Sequence, residues 1–122
     1  RYLYNIATEE YFQLEVNEEV VDVLEVGRFR FAKHAFEMMH KILMNAIEAS
    51  EINWFIIDEI GKLELKDTGL EPTLGEFIKY YKTTNVDYHL IVVVRDYLLE
   101  DVVAKYGLEE AVVLDKFILR SL

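Results

Sequence analysis

Apolar and polar positions alternate at the start of the chain. Tyr2, Tyr4 and Ile6 fall on one face of an extended segment, with Leu3, Asn5 and Ala7 on the other. After Thr8-Glu9-Glu10 the alternation resumes, with Phe12, Leu14 and Val16 opposite Tyr11, Gln13 and Glu15. A period of two on both sides of a short polar link predicts a β-hairpin. Residues 17–27 scatter Val20, Val21, Val23, Leu24 and Val26 among acids, and fit either a short helix or a loop with a strand end. Gly27 to Phe31 reads as a turn and a short strand. At Lys33 the period changes: Phe36, Met39, Leu43, Ala46 and Ile47 follow the spacing of an amphipathic helix to about Ala49, and Ser50-Glu51 breaks it.

Ile52 to Ile57 is a dense apolar run that ends at Asp58-Glu59. It is too short for a capped helix, and its lack of alternation predicts a strand buried on both faces of a parallel sheet. Pro72 suits the first turn of a helix that carries Leu74, Phe77, Ile78 and Tyr81 to about Thr83. Residues 89–94 form a second apolar strand. Asp96 can cap a helix with Leu99, Val102, Val103 and Tyr106 on its inner side, and Gly107 suits the position just past its end. Ala111 to Leu114 reads as a last short strand. Strands that alternate with helices imply an α/β sheet with right-handed crossovers, whose ligands bind at the carboxyl ends of the strands.

Composition narrows the chemistry. The 122 residues contain no cysteine, which excludes disulfides, cysteine-based zinc sites and thiol nucleophiles. No apolar run approaches the ~18 residues that cross a bilayer, and no signal-peptide layout is present, so the chain reads as cytoplasmic with no membrane partner. Thirteen Lys and Arg against 23 Asp and Glu give a net charge of −10. That balance argues against general nucleic-acid binding, which needs a basic face. The charge is uneven: residues 2–27 carry seven acids and no base, and then Arg28, Arg30 and Lys33 follow. The acidic run reads as a solvated face, and the basic residues can meet either phosphate or that run.

The chemistry-bearing feature is Trp54-Phe55-Ile56-Ile57 running into Asp58-Glu59, the Walker B pattern. In that pattern the first carboxylate leaves the strand end to hold Mg²⁺, which bridges phosphate oxygens, and the second can orient or deprotonate a water. Two adjacent acids at a strand end repel one another, which favours a cation between them and a ligand. Other features carry less. Glu37-x-x-His40 is half of a di-iron signature without its second half. His34 and His40 do not share a helical face, His89 stands at a strand start, and Tyr80-Tyr81 reads as part core and part rim.

The stretch Asp58-Glu59-Ile60-Gly61-Lys62-Leu63-Glu64-Leu65 resembles the signature of the hyperthermophile-type nucleoside-triphosphatase family. Val26-Gly27-Arg28-Phe29-Arg30-Phe31 before a helix, the hairpin at 2–16, and Val93-Val94-Arg95 before a helix are also similar to that family. The resemblance implies a P-loop NTPase-like (RecA-like) fold: a mostly parallel sheet with helices on both faces and an N-terminal antiparallel hairpin. It implies hydrolysis of a nucleoside triphosphate to diphosphate and phosphate with Mg²⁺. Asp58 would hold the metal and Glu59 would position water. Gly61, Lys62, Arg28 and Arg95 would lie at the nucleotide, and Glu64 would shape the turn with Lys62.

The family pattern also includes Gly-x-x-x-x-Gly-Lys-Ser/Thr, and none of the five glycines here is followed by Lys-Ser or Lys-Thr. The expectation is therefore one α/β domain over 1–122 that is an incomplete part of a longer NTPase, inactive by itself. Its open sheet edge would favour self-association. The alternatives are a non-catalytic α/β interaction domain that has lost its nucleotide site, and a small P-loop kinase.

Overall fold

The structure is a computed structural model that describes residues 2–6, 8–17, 22–26, 29–47, 51–115 and 120. It is a mixed α/β arrangement. Strands β1 (Tyr2–Asn5) and β2 (Glu10–Gln13) form the predicted antiparallel hairpin, with Tyr2 opposite Gln13 and Asn5 opposite Glu10. Tyr4 stacks on Tyr11 with ring centres 4.4 Å apart, a cross-strand aromatic pair on an exposed face. A second hairpin follows, β3 (Val23–Val26) with β4 (Phe29–Ala32). Glu25 lies opposite Arg30 in its register, so the basic residue meets the acidic run across the ladder. The first hairpin's trailing segment extends this second sheet, since Val16 N–H donates to the Arg30 carbonyl and Ala32 N–H to that of Leu14.

Helix α1 (Lys33–Ile47) follows β4 directly and buries Ala35, Phe36 and Leu43. Its stripe packs on α3 (Thr73–Thr83), where Leu74 and Phe77 are completely buried. At that interface His40 Nδ1 meets the Thr73 hydroxyl in a close contact. Complete burial of a side chain such as Phe77 contributes about 1.5–3 kcal/mol, so this stripe is a main element of the core.

Strands β5 (Trp54–Ile60) and β6 (His89–Val94) pair in parallel, with the one-turn helix α2 (Lys62–Leu65) and α3 between them. A short 3₁₀ turn at Asp96–Leu98 leads into α4 (Leu99–Tyr106), whose Val102 and Tyr106 are buried. Gly107 ends α4 in the left-handed region at φ 61°, which glycine adopts without a Cβ clash. Asp96 Oδ1 accepts the Tyr97 N–H at 2.8 Å, one residue on, and so ties the 3₁₀ turn rather than capping α4.

Three expectations need correction. The parallel pair is covered on one face only among the described residues. Phe55, Ile57 and Ile60 face the core, whereas Trp54 and Ile56 are more than half exposed, and His89 and Val93 beside them are exposed too. The apolar run is continuous because both faces are apolar, but helices pack on only one of them here. Among the described residues parallel pairing is confined to β5 and β6, and the other two sheets are antiparallel hairpins. Residues 111–114 form no strand: Val112, Val113 and Leu114 are exposed and have no ladder partner among the described residues.

Candidate active site at the carboxyl ends of the parallel strands

The acidic pair lies inside β5, immediately before its last residue Ile60, at a break in register. Asp58 pairs with Val93 and Ile60 with Val94, so Glu59 is one extra residue on β5. The effect follows from the period of two. Trp54, Ile56 and Asp58 point to the open face, and Phe55 and Ile57 to the core. Without the register break, the alternation through residues 54, 56 and 58 would carry Ile60 outward as well. With it, Asp58 and Glu59 are both exposed and Ile60 is completely buried. Bulges re-aim side chains in this way beside sites that need them.

Arg95 follows the last residue of β6, and its Nε lies 3.3 Å from Glu59 Oε1 and 3.5 Å from Oε2. The carboxylate of Glu59, with smaller help from Tyr97, holds the guanidinium pKa above its ordinary value. Lys62 opens α2 two residues past the end of β5 and places its ammonium 5.8 Å from the centre of the Tyr97 ring. The carboxyl rim of this pair of strands thus presents two carboxylates, a guanidinium, an ammonium and an exposed tyrosine. Tyr97 was not singled out from sequence. Its only signal there is an aromatic residue placed just beyond an apolar strand, where the core does not need one.

The turn that carries Lys62 is built on one buried carboxylate. Glu64 is 4% exposed. Its Oε2 accepts the Gly61 N–H at 2.9 Å and its Oε1 accepts the Leu70 N–H at 3.1 Å. The first bond is the return arm of a capping box. It also engages the Gly61 N–H within the turn, while a Cβ at Gly61 would meet nothing nearer than 3.7 Å. Gly69 is different. Its φ is +65°, and a Cβ there would stand 2.3 Å from Glu64 Oε1. Helix α4 closes the turn from outside, where Lys105 Nζ contacts the Glu64 carbonyl and bridges to Asp67 Oδ1 at 2.8 Å. The Tyr106 hydroxyl donates to Glu71 Oε1 in a short bond. Burial, then that bond, raises the Tyr106 pKa well above its ordinary value.

Arg28 lies outside the described residues. Arg30 serves its own hairpin, with Nε 3.5 Å from Glu25 and Nη1 3.0 Å from the Asn17 carbonyl. Among the described residues no cluster of three or more His, Asp or Glu could enclose a metal ion, and no helix is long and apolar enough to cross a membrane.

Residues 2–115 match a family model described as NTPase, a span that takes in both hairpins, the parallel pair and the rim. The chain belongs to the NTPase family. Membership gives it the general class of nucleoside triphosphate hydrolysis, with a nucleotide as substrate. No curated protein and no solved structure matches it.

Proposed function

We propose that the rim formed by Asp58, Glu59, Lys62 and Arg95 is the metal-and-water half of an NTPase active site. The observation that carries this reading is the register break in β5, which turns two consecutive carboxylates outward at a strand end while Ile60 returns to the core. The donor set fits Mg²⁺, which keeps several waters and is held by one or two carboxylates plus substrate phosphates rather than by an all-protein cage. Asp58 would hold it. When bound, the ion neutralises charge that develops on the phosphates. The chain's own residues do the rest. Glu59 orients the attacking water and accepts its proton, and Arg95 and Lys62 meet the phosphate oxygens.

The surrounding architecture supports a P-loop-type fold, whose ligands bind at the strand carboxyl ends. The chain has no Gly-x-x-x-x-Gly-Lys-Ser/Thr. In this reading the cradle of backbone N–H groups for the phosphates comes from a part of the intact protein outside these residues. The test is phosphate release from ATP and from GTP by the intact protein, with Mg²⁺ and without any acceptor substrate. Asp58→Asn should lower the rate by ~100-fold or more, the scale on which loss of a charge-stabilising group acts. Glu64→Gln, which sits behind the rim, should do less. Equal rates for Asp58→Asn and the unaltered protein would remove the metal assignment. Phosphate release that requires a second substrate would favour the kinase alternative.

A further inference from the structure

Resting on that phosphate reading, we propose that the Glu59–Arg95 ion pair is a hold that polyphosphate displaces. Arg95 rests against Glu59, and a polyphosphate that takes the guanidinium releases Glu59 to act. The two roles given to these residues exclude one another while the pair is closed, because the guanidinium stands against both carboxylate oxygens, where a water would approach, and is itself turned away from a phosphate. The geometry suits a pair built to open. The contact runs through Nε at 3.3 Å and 3.5 Å, a long approach by one nitrogen rather than the two-pronged fork of a strong Arg–carboxylate pair. The side chains are 55% and 39% exposed, so water screens the attraction.

Both backbones are fixed while the side chains are free to part. Glu59 is the extra residue of a strand whose next position, Ile60, is completely buried. Arg95 is tied at its carbonyl by the Leu98 N–H at 2.9 Å. A triphosphate carries several anionic oxygens that fit the guanidinium fork, and so competes well against a single carboxylate held side-on.

The experiment is a four-member cycle in the intact protein: unaltered, Glu59→Gln, Arg95→Ala, and both together. Each is titrated with inorganic tripolyphosphate in metal-free buffer, and the Arg95 Nε–H signal is followed by ¹⁵N NMR where Arg95 is present. Both positions are exposed, and far-UV circular dichroism checks that each variant folds. Glu59→Gln should tighten tripolyphosphate binding ~1.5- to 5-fold, the range that loss of a competing exposed ion pair gives. It should give no gain in the Arg95→Ala background. The Nε–H signal should move in ligand-free Glu59→Gln, and should move on adding tripolyphosphate to the unaltered protein. An equal gain in both backgrounds overturns the proposal, because Glu59 then acts through charge repulsion alone. Unchanged affinity in Arg95→Ala also overturns it. Absence of binding in all four members fails the phosphate reading itself, a result distinct from binding with an additive cycle.

Discussion

Replacement of Glu64 by Gln tests how the rim is supported. The Glu64 carboxylate accepts two backbone N–H groups, from Gly61 at 2.9 Å and from Leu70 at 3.1 Å, in a site 4% exposed. Glutamine keeps one acceptor oxygen and turns an NH₂ group toward the other N–H. One buried donor then loses its acceptor, and the remaining bond loses its charge assistance. A buried unsatisfied group costs ~1–3 kcal/mol, and bonds to charged groups are worth ~1.5–3 kcal/mol, so a loss of about 2–3 kcal/mol follows. With a urea slope of ~1–3 kcal/mol per M, the unfolding midpoint should fall by about 0.7–3 M. Equilibrium urea unfolding by circular dichroism measures it. Hydrogen exchange should localise the effect, with faster exchange of the Gly61 or Leu70 amide. An unchanged midpoint with both amides still protected would refute the argument that this carboxylate organises the turn.

Two further outcomes follow from the same region. Gly69→Ala puts a Cβ 2.3 Å from Glu64 Oε1 and 2.9 Å from the Leu63 Cβ at φ +65°. The left-handed backbone alone costs ~1–2 kcal/mol for a residue with a Cβ, so thermal unfolding should show at least that loss, and a neutral result would contradict the geometry. Tyr106 has a folded-state pKa raised above its ordinary value, first by burial and then by the bond to Glu71. Above pH ~10, where a tyrosine in the unfolded chain ionises, the folded state holds the extra proton, so stability is complete below that pH and falls as pH rises through it. Urea unfolding at pH 9 and pH 11 should therefore show a smaller decrease for Tyr106→Phe than for the unaltered protein. Equal decreases would argue against it.

Elements with a strong period were legible in the sequence. The first hairpin, α1 and α3 stand where alternation or helical spacing put them, and β6 where the apolar run put it. The β3 strand was not legible, because Glu25 interrupts Val23, Leu24 and Val26 and the acids around them suit helix and loop equally. Helix α2 is a single turn with too few residues for a period, and it depends on the Glu64 bonds to Gly61 and, six residues on, Leu70. Residues 111–114 have strand-like composition, but a strand needs a ladder partner, and local composition does not supply one. The positions of Asp58, Glu59 and Arg95, though not their roles, were legible because each sits at or just past the end of an apolar run. The extra residue at Glu59 was not, since a register break is a property of two paired strands. The contacts of Lys105 with the 64–67 turn span about 40 positions, and no local pattern announces them.

In the proposed reading Asp58 holds the metal of a metal–triphosphate at this rim. Mn²⁺ can stand in for Mg²⁺, and its unpaired electrons broaden nearby amide signals. With Mn²⁺ and a non-hydrolysable triphosphate added to the intact protein, broadening should centre on Asp58, Glu59, Val93 and Arg95, and should vanish in Asp58→Asn. Broadening centred elsewhere, for instance on the acidic first turn of α4 at Glu100 and Asp101, or an undiminished effect in Asp58→Asn, would contradict the account.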